Sequence, residues 1–262
     1  MSRTYVGELY NIFKSESCRM AQNISQAPTL GGIRNVYAAM GAENYYAQHG
    51  TEYRNPHFAT LCEVVPKMLD AMLGPVLRID KSTQDASTQD ASTSSSFSCL
   101  DFCCGSGEFS RIFSSWCERR KLMCSLTGAD PFTQQAYADV TGKVAKKWSF
   151  EDVCEGKLLD EDGTLMDEEG GLLDEENTQE DGVDRPRNTF DVLAISYAIH
   201  LLEPSRVYSF FPTMARHAKW MLIISPTKNK GVVDASLGWE PVDYLTDRKV
   251  HARFYKSLCY EG

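Results

Sequence analysis

One stretch of sequence decides the fold of this chain: Cys99-Leu-Asp-Phe-Cys-Cys-Gly-Ser-Gly-Glu-Phe109. Residues 97–102 are an apolar run that predicts a buried strand, and Gly105 and Gly107 follow it as a turn into a helix that begins near Phe109. Glycine lets the backbone approach a ligand closely and adopt angles that a Cβ would forbid. Because ligands of open α/β sheets bind outside the carboxyl ends of the strands, this turn is predicted to be a ligand cradle.

The residues of the turn argue against a phosphate ligand. A dinucleotide-binding loop has the pattern G-x-G-x-x-G, but counted from Gly105 the third glycine position is Ser110. A P-loop would end in Gly-Lys-Ser or Gly-Lys-Thr, which the turn lacks. Asp101 before the turn and Glu108 within it would repel a polyphosphate. A cationic ligand without phosphate therefore suits the turn better.

Strand-like and helix-like patterns alternate along the rest of the chain. Strands are predicted over 123–129, 190–196 and 220–225, helices over 111–121, 133–147 and 204–218, and a final alternating strand over 249–258. A helical pattern over 40–73 is interrupted at Asn55-Pro56, because a residue before proline is pushed out of the helical region. Strands that alternate with helices predict a mostly parallel sheet covered on both faces, so the predicted fold class is a three-layer α/β domain.

Two segments depart from this globular pattern. Residues 81–96 contain two copies of Ser-Thr-Gln-Asp-Ala and are predicted to be disordered, because nothing in them offsets the entropy of ordering. Three acidic heptads over 158–178 are predicted to be a flexible loop; their glycines and like charges disfavour a coiled coil, and they lack the ligand order of a calcium loop. The predicted organisation is an N-terminal extension (1–40), a helical lid (41–80), the first insert (81–96), and a core (97–262) that carries the acidic insert (155–189).

Composition and charge exclude some classes of protein and leave others open. With 262 residues, 42% of them hydrophobic, the chain can bury a real core. The net charge is −9, but 13 acidic against two basic residues over 155–185 give that segment −11, which leaves the rest at about +2, so charge does not exclude nucleic acid. No apolar run nears the roughly 20 residues of a bilayer span, and a secretory signal is not evident, so a cytoplasmic or nuclear protein without a membrane partner is expected.

The cysteines point to neither a metal site nor a disulfide framework. The chain has nine, an odd number, and they lack paired C-x-x-C spacing. We therefore expect reduced thiols, most of them buried, and no metal ion.

At this point the sequence resembles a known family. Leu100-Asp-Phe-Cys-Cys-Gly-Ser-Gly107 is similar to motif I of the class I S-adenosylmethionine-dependent methyltransferases, which usually have glycine where Cys103 stands. The resemblance also extends to uncharacterised eukaryotic methyltransferase-like proteins. It implies a Rossmann-like sheet, mostly parallel with a final antiparallel strand, and S-adenosylmethionine as cofactor.

Other landmarks of the family follow in order. Gly128-Ala-Asp130-Pro131 corresponds to the acidic residue that grips the ribose, Trp148-Ser-Phe-Glu-Asp152 to the adenine region, and 190–200 to motif IV beside the transferable methyl. The cofactor-binding residues that the resemblance implies are Tyr46, Tyr53, Arg54, Asp101, Cys103, Gly105, Gly107, Asp130, Pro131, Phe150, Glu151, Asp152 and Ser196.

The segment 43–57 is dense in aromatic and polar residues and resembles the lid that many such enzymes fold over the cofactor. In that interpretation Tyr46 and Tyr53 shield the sulfonium and Arg54 pairs with the methionine carboxylate. A surface helix with aromatic packing and a proline stop is the alternative.

Methyl transfer from a sulfonium needs alignment and exclusion of water more than a special nucleophile. The candidate catalytic residues are His200, which follows the fourth strand of the family order and could act as a general base or fix its loop, together with Tyr197 and His57. Motif IV here lacks both Asn-Pro-Pro-Tyr and a cysteine after proline, which argues against adenine amines, glutamine amides and cytosine C5 as acceptors. An oxygen, nitrogen or sulfur acceptor on a small molecule or protein is expected. RNA, contacted by Lys228 and Lys230, and a non-catalytic module that binds the nucleoside stay open as alternatives.

Overall fold

The structure of the chain is a computed structural model that describes residues 44, 55, 57–74, 97–157, 189–226 and 233–260. The chain divides into two compact units, Met1–Tyr45 and Tyr46–Gly262. Only Asn44 of the first unit is described. The predicted extension (1–40), the first insert (81–96) and most of the acidic insert (155–189) lie outside the described residues, so the domain boundaries stay predictions.

Five α-helices and six strands make up the described part of the second unit. In chain order they are α1 (Phe58–Met72), β1 (Phe97–Phe102), α2 (Glu108–Arg120), β2 (Cys124–Ala129), α3 (Gln134–Thr141), α4 (Phe150–Cys154), β3 (Phe190–Ser196), α5 (Val207–His217), β4 (Ala218–Ser225), β5 (Trp239–Asp247) and β6 (Val250–Ser257). Short 3₁₀ helices cover Ile199–Leu201, Pro204–Arg206 and Ala235–Leu237.

The six strands form one sheet in the order β2-β1-β3-β4-β6-β5. The strands β1 to β4 pair in parallel, whereas β6 runs antiparallel to both β4 and β5. The predicted Rossmann-like fold, mostly parallel with a final antiparallel strand, is confirmed. Because β1 lies between β2 and β3, the winding of the chain reverses there. The crevice at the carboxyl ends of β1 and β3 is the switch point where open α/β sheets bind ligands.

The edge strand β5 is not predicted by the sequence. Residues 240–244 are exposed, and the pairing with β6 shifts register between Pro241 and Asp243. Proline and bulges are typical of edge strands, where they interrupt the alternation of apolar and polar residues that marks a half-buried strand.

At the opposite edge of the sheet, the chain after β2 forms less regular structure than predicted. The helix α3 ends at Thr141 rather than at 147, because Gly142 takes a left-handed conformation and caps it. Beyond it, a single bridge between Ala129 and Lys146 extends the described sheet past β2. The third strand of the family order is thus reduced to one bridge.

Helices cover both faces of the sheet. The first face packs against α4 and α5, where the rings of Phe102, Phe150 and Phe210 contact one another with centroids 5.0 to 5.5 Å apart. The second face packs against α1 and α2. Because side chains alternate along a strand, Phe102 of β1 points to the first face, whereas Cys99 and Asp101 point to the second.

The helix α1 is a packed wall of the second face. Its fully shielded residues recur at helical spacing and are Leu61, Val64, Val65, Met68 and Leu69. Burying such a side chain stabilises a fold by about 1.5 to 3 kcal/mol. The described part of the segment predicted as a lid is therefore integral to the core.

Two cysteines depart from the expectation of reduced thiols. Cys117 at the end of α2 and Cys124 at the start of β2 form a disulfide with their Cα atoms 6.5 Å apart. Their separation of seven residues gives no recognisable cysteine motif, and the turn from α2 into β2 brings them together. The expectation that disulfides are lacking is therefore wrong for this pair.

Within the described ranges, no helix is both long and apolar enough to cross a bilayer.

Candidate functional site

The candidate site is the turn after β1, which lies at the carboxyl end of that strand beside the switch point. Three of its residues have left-handed backbone conformations: Cys103 with φ 57°, Gly105 with φ 55° and Gly107 with φ 83°. This repeated left-handed geometry bends the chain sharply from β1 into α2. At Cys103 it costs about 1 kcal/mol, because a Cβ disfavours that region. This is the position where the resembling family usually has glycine.

The turn is fixed in place by the residues that follow β2. The amide of Gly105 donates to Asp130 Oδ2 at 3.2 Å, and the hydroxyl of Thr133 donates to the carbonyl of Gly105 at 2.8 Å. The amide of Cys104 donates to the carbonyl of Ala129 at 3.0 Å. The ends of β1 and β2 therefore form one rigid unit.

Asp130 has a structural role that the sequence alone does not reveal. Its Oδ1 accepts from the amides of Phe132 and Thr133, at 2.9 and 3.1 Å, in addition to the bond from Gly105 to Oδ2. Three of the roughly four lone pairs of this nearly buried carboxylate are thus used by the protein. One lone pair of Oδ2 remains, and it could accept from a ribose hydroxyl as predicted. Pro131, the next residue, is half-buried.

A buried polar chain lies beneath the turn. Asp101 Oδ2 accepts from the hydroxyl and the amide of Ser110, at 2.6 and 3.1 Å, and the Ser110 hydroxyl lies 3.0 Å from Tyr137 Oη. Tyr137 also explains two glycines: a Cβ on Gly107 would lie 3.2 Å from its ring and 2.6 Å from Thr141 Cγ2, and a Cβ on Gly128 would lie 2.4 Å from its Cζ. Both glycines are therefore required by close packing against α3.

Burial raises the pKa of Asp101 to about 7. We expect this group to make the folded state less stable as the pH rises from about 4 to about 7. In that window the folded protein binds more protons than the unfolded chain. The free energy of unfolding therefore falls with rising pH, by up to about 4 kcal/mol in total. Asp101→Asn should remove this part of the pH dependence, measured by denaturant unfolding between pH 4 and 8. Asp139→Asn, an exposed control on α3, should leave it unchanged; equal slopes for both variants would contradict the assignment.

A short segment before α1 bridges the ends of β1 and β3. The amide of Asn55 donates to Glu108 Oε1 at 2.9 Å, and the same oxygen accepts from the hydroxyl of Ser106 at 2.8 Å. Two residues later, the ring of His57 stacks on Tyr197 with centroids 5.2 Å apart and planes at 9°. The structure thus brings together His57 and Tyr197, two of the three predicted catalytic residues.

Tyr197 is held in an unusual backbone conformation directly after β3. Its φ is 60°, and its amide donates to the carbonyl of Ile224 in β4 at 2.8 Å. A left-handed conformation at a bulky residue is rare and tends to persist at functional sites. Ser196, the last residue of β3, is half-buried, and His200 lies in the 3₁₀ helix Ile199–Leu201 with its side chain exposed.

The predicted adenine region is the start of α4. Ser149 and Asp152 form a capping box, in which the Asp152 carboxylate accepts from the Ser149 amide and the Ser149 hydroxyl accepts from the Asp152 amide. Phe150 is packed in the core of the first face. Of the three predicted residues, Glu151 has its carboxylate about half exposed and paired with Arg206 at 3.5 Å. Contact with an adenine stays a prediction for all three.

The site is acidic and its thiols are protonated. Asp101, Glu108 and Asp130 surround the turn, which favours a cationic ligand. Burial raises the pKa of Cys103 and Cys104 well above the usual range, so neither is a thiolate nucleophile. Within the described ranges, no three His, Cys, Asp or Glu side chains converge as a metal site would need. The predicted lid residues Tyr46, Tyr53 and Arg54, and also Lys228 and Lys230, lie outside the described residues.

Several residues that build the site carry only local signals in the sequence. Phe132 and Thr133 follow Asp130 by two and three residues, so their amides are within reach of its carboxylate in a turn. Asn55 likewise accepts from the His57 amide at 2.9 Å, as asparagine commonly does in turns. Phe132, 40% exposed beside Asp130, is an aromatic side chain at the rim of the site, and no motif in the sequence marks it. Ser110 and Tyr137 give no such signal, because their bonds depend on α2 and α3 packing together.

Known proteins resemble this chain only weakly. No family model matches it. An uncharacterised protein of Schizosaccharomyces pombe is 26% identical over 280 residues, covering 92% of this chain and 97% of that protein. Among solved structures, magnesium protoporphyrin IX methyltransferase of Synechocystis PCC 6803 with bound SAM has a TM-score of 0.42 and 9% identity, covering 88% of this chain and 99% of that one. A SAM-dependent methyltransferase of Archaeoglobus fulgidus has a TM-score of 0.39 and 13% identity, covering 78% and 100%. With TM-scores this low, the fold assignment depends on the strand order of the chain itself.

Proposed function

We propose that this chain is an S-adenosylmethionine-dependent methyltransferase of class I. The observation that supports the proposal most directly is the turn from Cys103 to Gly107, which is left-handed at three positions and clamped to the carboxylate of Asp130 beside the switch point. A turn of this shape leaves backbone groups close to any ligand in the crevice. The acidic surroundings and the missing phosphate-binding patterns favour a cationic nucleoside over a dinucleotide or nucleotide.

The described residues fit such a cofactor in three respects. Gly105 and Gly107 provide a surface without side chains, Asp130 retains one acceptor site for a ribose hydroxyl, and Asp101 and Tyr197 each keep one buried polar atom without a partner. Bound here, S-adenosylmethionine would supply a methyl group already activated by positive charge on sulfur. We propose that the cofactor is also contacted by Cys103, Pro131, Ser196 and the lid residues.

The chemical task of the protein is then alignment. The rigid unit formed by the ends of β1 and β2 would hold the cofactor, and the residues after β3 would face the acceptor. His200, exposed near the end of β3, is our candidate for a general base, with Tyr197 and His57 as further groups beside the acceptor. An oxygen, nitrogen or sulfur atom of a small molecule or protein is the proposed acceptor.

Binding and turnover test this proposal in separate steps. Isothermal titration with S-adenosylhomocysteine, NAD and ATP should show binding of the first and not of the other two. Tritium-labelled S-adenosylmethionine incubated with fractionated cell extract should then label a metabolite or a protein. Label in RNA, lost in the Lys228→Glu and Lys230→Glu variants and at high salt, would identify the RNA alternative. Binding without label would identify the non-catalytic module, and preference for NAD or ATP would overturn the proposal.

A further inference from the structure

A cluster of polar side chains lies at the carboxyl end of β4, apart from the turn after β1. Ser225 of β4 is opposite His251 of β6, which is in turn opposite Thr246 of β5, and Arg253 of β6 is opposite Tyr244 of β5. Residues opposite each other, and every second residue of a strand, share one face of a sheet. These five residues, the Arg253 cluster, therefore lie together on one face.

The Arg253 cluster is on the first face of the sheet and at the same edge as the candidate site. Arg253 is opposite Ile223, which belongs to the core of the first face. Ser225 is the last residue of β4, and β6 begins beside it because that strand runs antiparallel. The cluster thus extends the carboxyl edge of the sheet beyond β1 and β3.

The guanidinium of Arg253 is fixed by two neighbours. Its Nη1 donates to Ser225 Oγ at 3.1 Å, and its plane lies over the ring of Tyr244, 5.4 Å from the ring centroid. Tyr244 is itself held by the buried His251, since the two rings stack with planes at 14° and Tyr244 Oη is hydrogen-bonded to His251 Nδ1. Thr246 Oγ1 lies 3.3 Å from the same nitrogen. A long side chain is thereby held in one orientation.

A guanidinium held in this way is suited to bind an anion. It has five N–H donors in one plane, and the bond to Ser225 uses Nη1, so the edge formed by Nε and Nη2 is a separate one. Such an edge makes two parallel hydrogen bonds to a carboxylate or a phosphate. Arg253 is also half-buried, and its charge is therefore less screened by solvent than that of an exposed arginine.

The position of the cluster matches the far end of a small acceptor. Ser196 at the end of β3 is opposite Ile224 of β4, which is opposite Ala252 of β6. Two strand spacings separate these strands, so Arg253 lies about 10 Å across the sheet from the end of β3. The 3₁₀ helix that carries His200 packs against the first face through Ile199 and Leu201. The candidate general base and Arg253 are therefore on the same side of the sheet.

The charges around the cluster favour one compact anion over nucleic acid. Lys256 is opposite Trp220, which packs on the second face, and Arg248 and Lys249 form the turn between β5 and β6. Over 239–257, all of which the structure describes, Arg253 is the only lysine or arginine on the first face. A nucleic-acid backbone would need several cations along one surface.

We infer that Arg253 binds an anionic group, a carboxylate or a phosphate, of a small-molecule methyl acceptor. This inference rests on the proposed function and names the class of its substrate. Ser225 and Tyr244 are positioning residues that act through Arg253. Because Arg253 lies about 10 Å from the end of β3, the methyl group goes to a different atom of the acceptor, and the negative charge stays on the product.

The charge of the product is the first test. The full chain is incubated with methyl-tritiated S-adenosylmethionine and fractionated cell extract, and the labelled product is passed over an anion exchanger at pH 7. We expect the product to be retained. Alkaline phosphatase should release it if the anion is a phosphate monoester, whereas a carboxylate should stay bound. A neutral or cationic product, or label in protein or RNA, would overturn the inference.

Variants of Arg253 are the second test, with the labelled extract fraction as the acceptor. Arg253→Gln should raise the apparent KM for the acceptor about 10- to 100-fold, the loss of hydrogen bonds to a charged group. Arg253→Lys, which keeps the charge without the planar edge, should give an intermediate KM. In both, kcat and the affinity for S-adenosylhomocysteine should stay near wild type. Lys256→Gln, at an exposed lysine of the same strand, is the matched control and should change none of these values.

Tyr244 is tested by removing its ring and then restoring it. Tyr244→Ala should raise KM because the guanidinium loses the ring beneath it, and Tyr244→Phe should recover most of the lost affinity. Equal losses in both variants would show that the hydroxyl of Tyr244, and not its ring, is what matters.

The outcomes separate the inference from the proposed function. If the wild-type chain does not bind S-adenosylhomocysteine, the proposed function itself fails. If it binds, and Arg253→Gln leaves KM unchanged or weakens acceptor and S-adenosylhomocysteine alike, the inference is wrong and the function stands. If it binds but transfers no label, the thermal midpoint of the S-adenosylhomocysteine complex is measured with benzoate and with the uncharged benzamide. Only benzoate should raise it, and only when Arg253 is present; equal midpoints would overturn the inference.

Discussion

Gly105→Arg is expected to lower the affinity for S-adenosylhomocysteine by at least about 100-fold, or about 2.7 kcal/mol, while the chain stays folded. Gly105 is held from both sides, since its amide donates to Asp130 and its carbonyl accepts from Thr133, so the turn cannot move away from a new side chain. A side chain at φ 55° adds strain of about 1 kcal/mol, and an arginine would bring bulk and positive charge to a crevice proposed to bind a cation. Titration calorimetry measures the affinity, and circular dichroism with thermal unfolding confirms the fold.

Gly142→Arg is the matched control for this prediction. Gly142 also has a left-handed backbone, with φ 69°, but a Cβ there meets nothing within 4 Å. It is the C-cap of α3, and its amide donates to the carbonyl of Ala138. The control should lose about 1 kcal/mol of stability and keep its affinity. Affinity within threefold of wild type in Gly105→Arg would show that the turn after β1 does not form the binding site.

Gly128→Ala is expected to destabilise the fold by about 3 kcal/mol, at the upper end of the usual cost of overpacking. The added Cβ would lie 2.4 Å from Cζ and 2.7 Å from Cε2 of Tyr137, which is fully buried. The ring cannot withdraw without breaking its contact with Ser110, which in turn holds Asp101. Denaturant unfolding at pH 7 measures the loss.

A double-mutant cycle shows whether the clash is the cause. Tyr137→Leu should be destabilising by itself because it leaves a cavity, but combined with Gly128→Ala it should cost at least about 1 kcal/mol less than the sum of the two single changes. Gly142→Ala, with open space around its Cβ, should cost only about 1 kcal/mol, from the left-handed backbone alone. Additive effects in the cycle would mean that Tyr137 is not what excludes a side chain at position 128.

The strands of the core can be predicted from the sequence where burial is complete. The bounds of β1 and β3 agree with the prediction, because strands covered on both faces are continuous apolar runs with clear ends. The edge strand β5 escapes prediction because its exposed residues have no apolar pattern to detect. The helix α3 is predicted too long because Gly142 ends it, and a glycine within a polar stretch is a weak signal by itself.

In the candidate site, the sequence predicts where the acidic residues lie but not which hydrogen bonds they make. The sequence places acidic residues at the ends of β1 and β2, and the structure brings them to one edge of the sheet. The hydrogen bonds of Asp130 differ from the simplest expectation, because it holds the turn through the amide of Gly105. Asp152, in the predicted adenine region, instead completes the capping box at the start of α4. The disulfide between Cys117 and Cys124 likewise depends on a turn whose geometry no cysteine spacing reveals.

The order of apolar runs, glycines and carboxylates was enough to determine an α/β sheet with a ligand turn after β1, because these are local patterns of burial and backbone freedom. The tertiary structure alone decided that His57 stacks on Tyr197, that Asn55 ties α1 to α2, and that Asp101 and Tyr197 keep unpaired atoms on one face. Such contacts join residues that are 50 to 140 positions apart in the chain, and they exist only because parallel strands bring their carboxyl ends to the same edge.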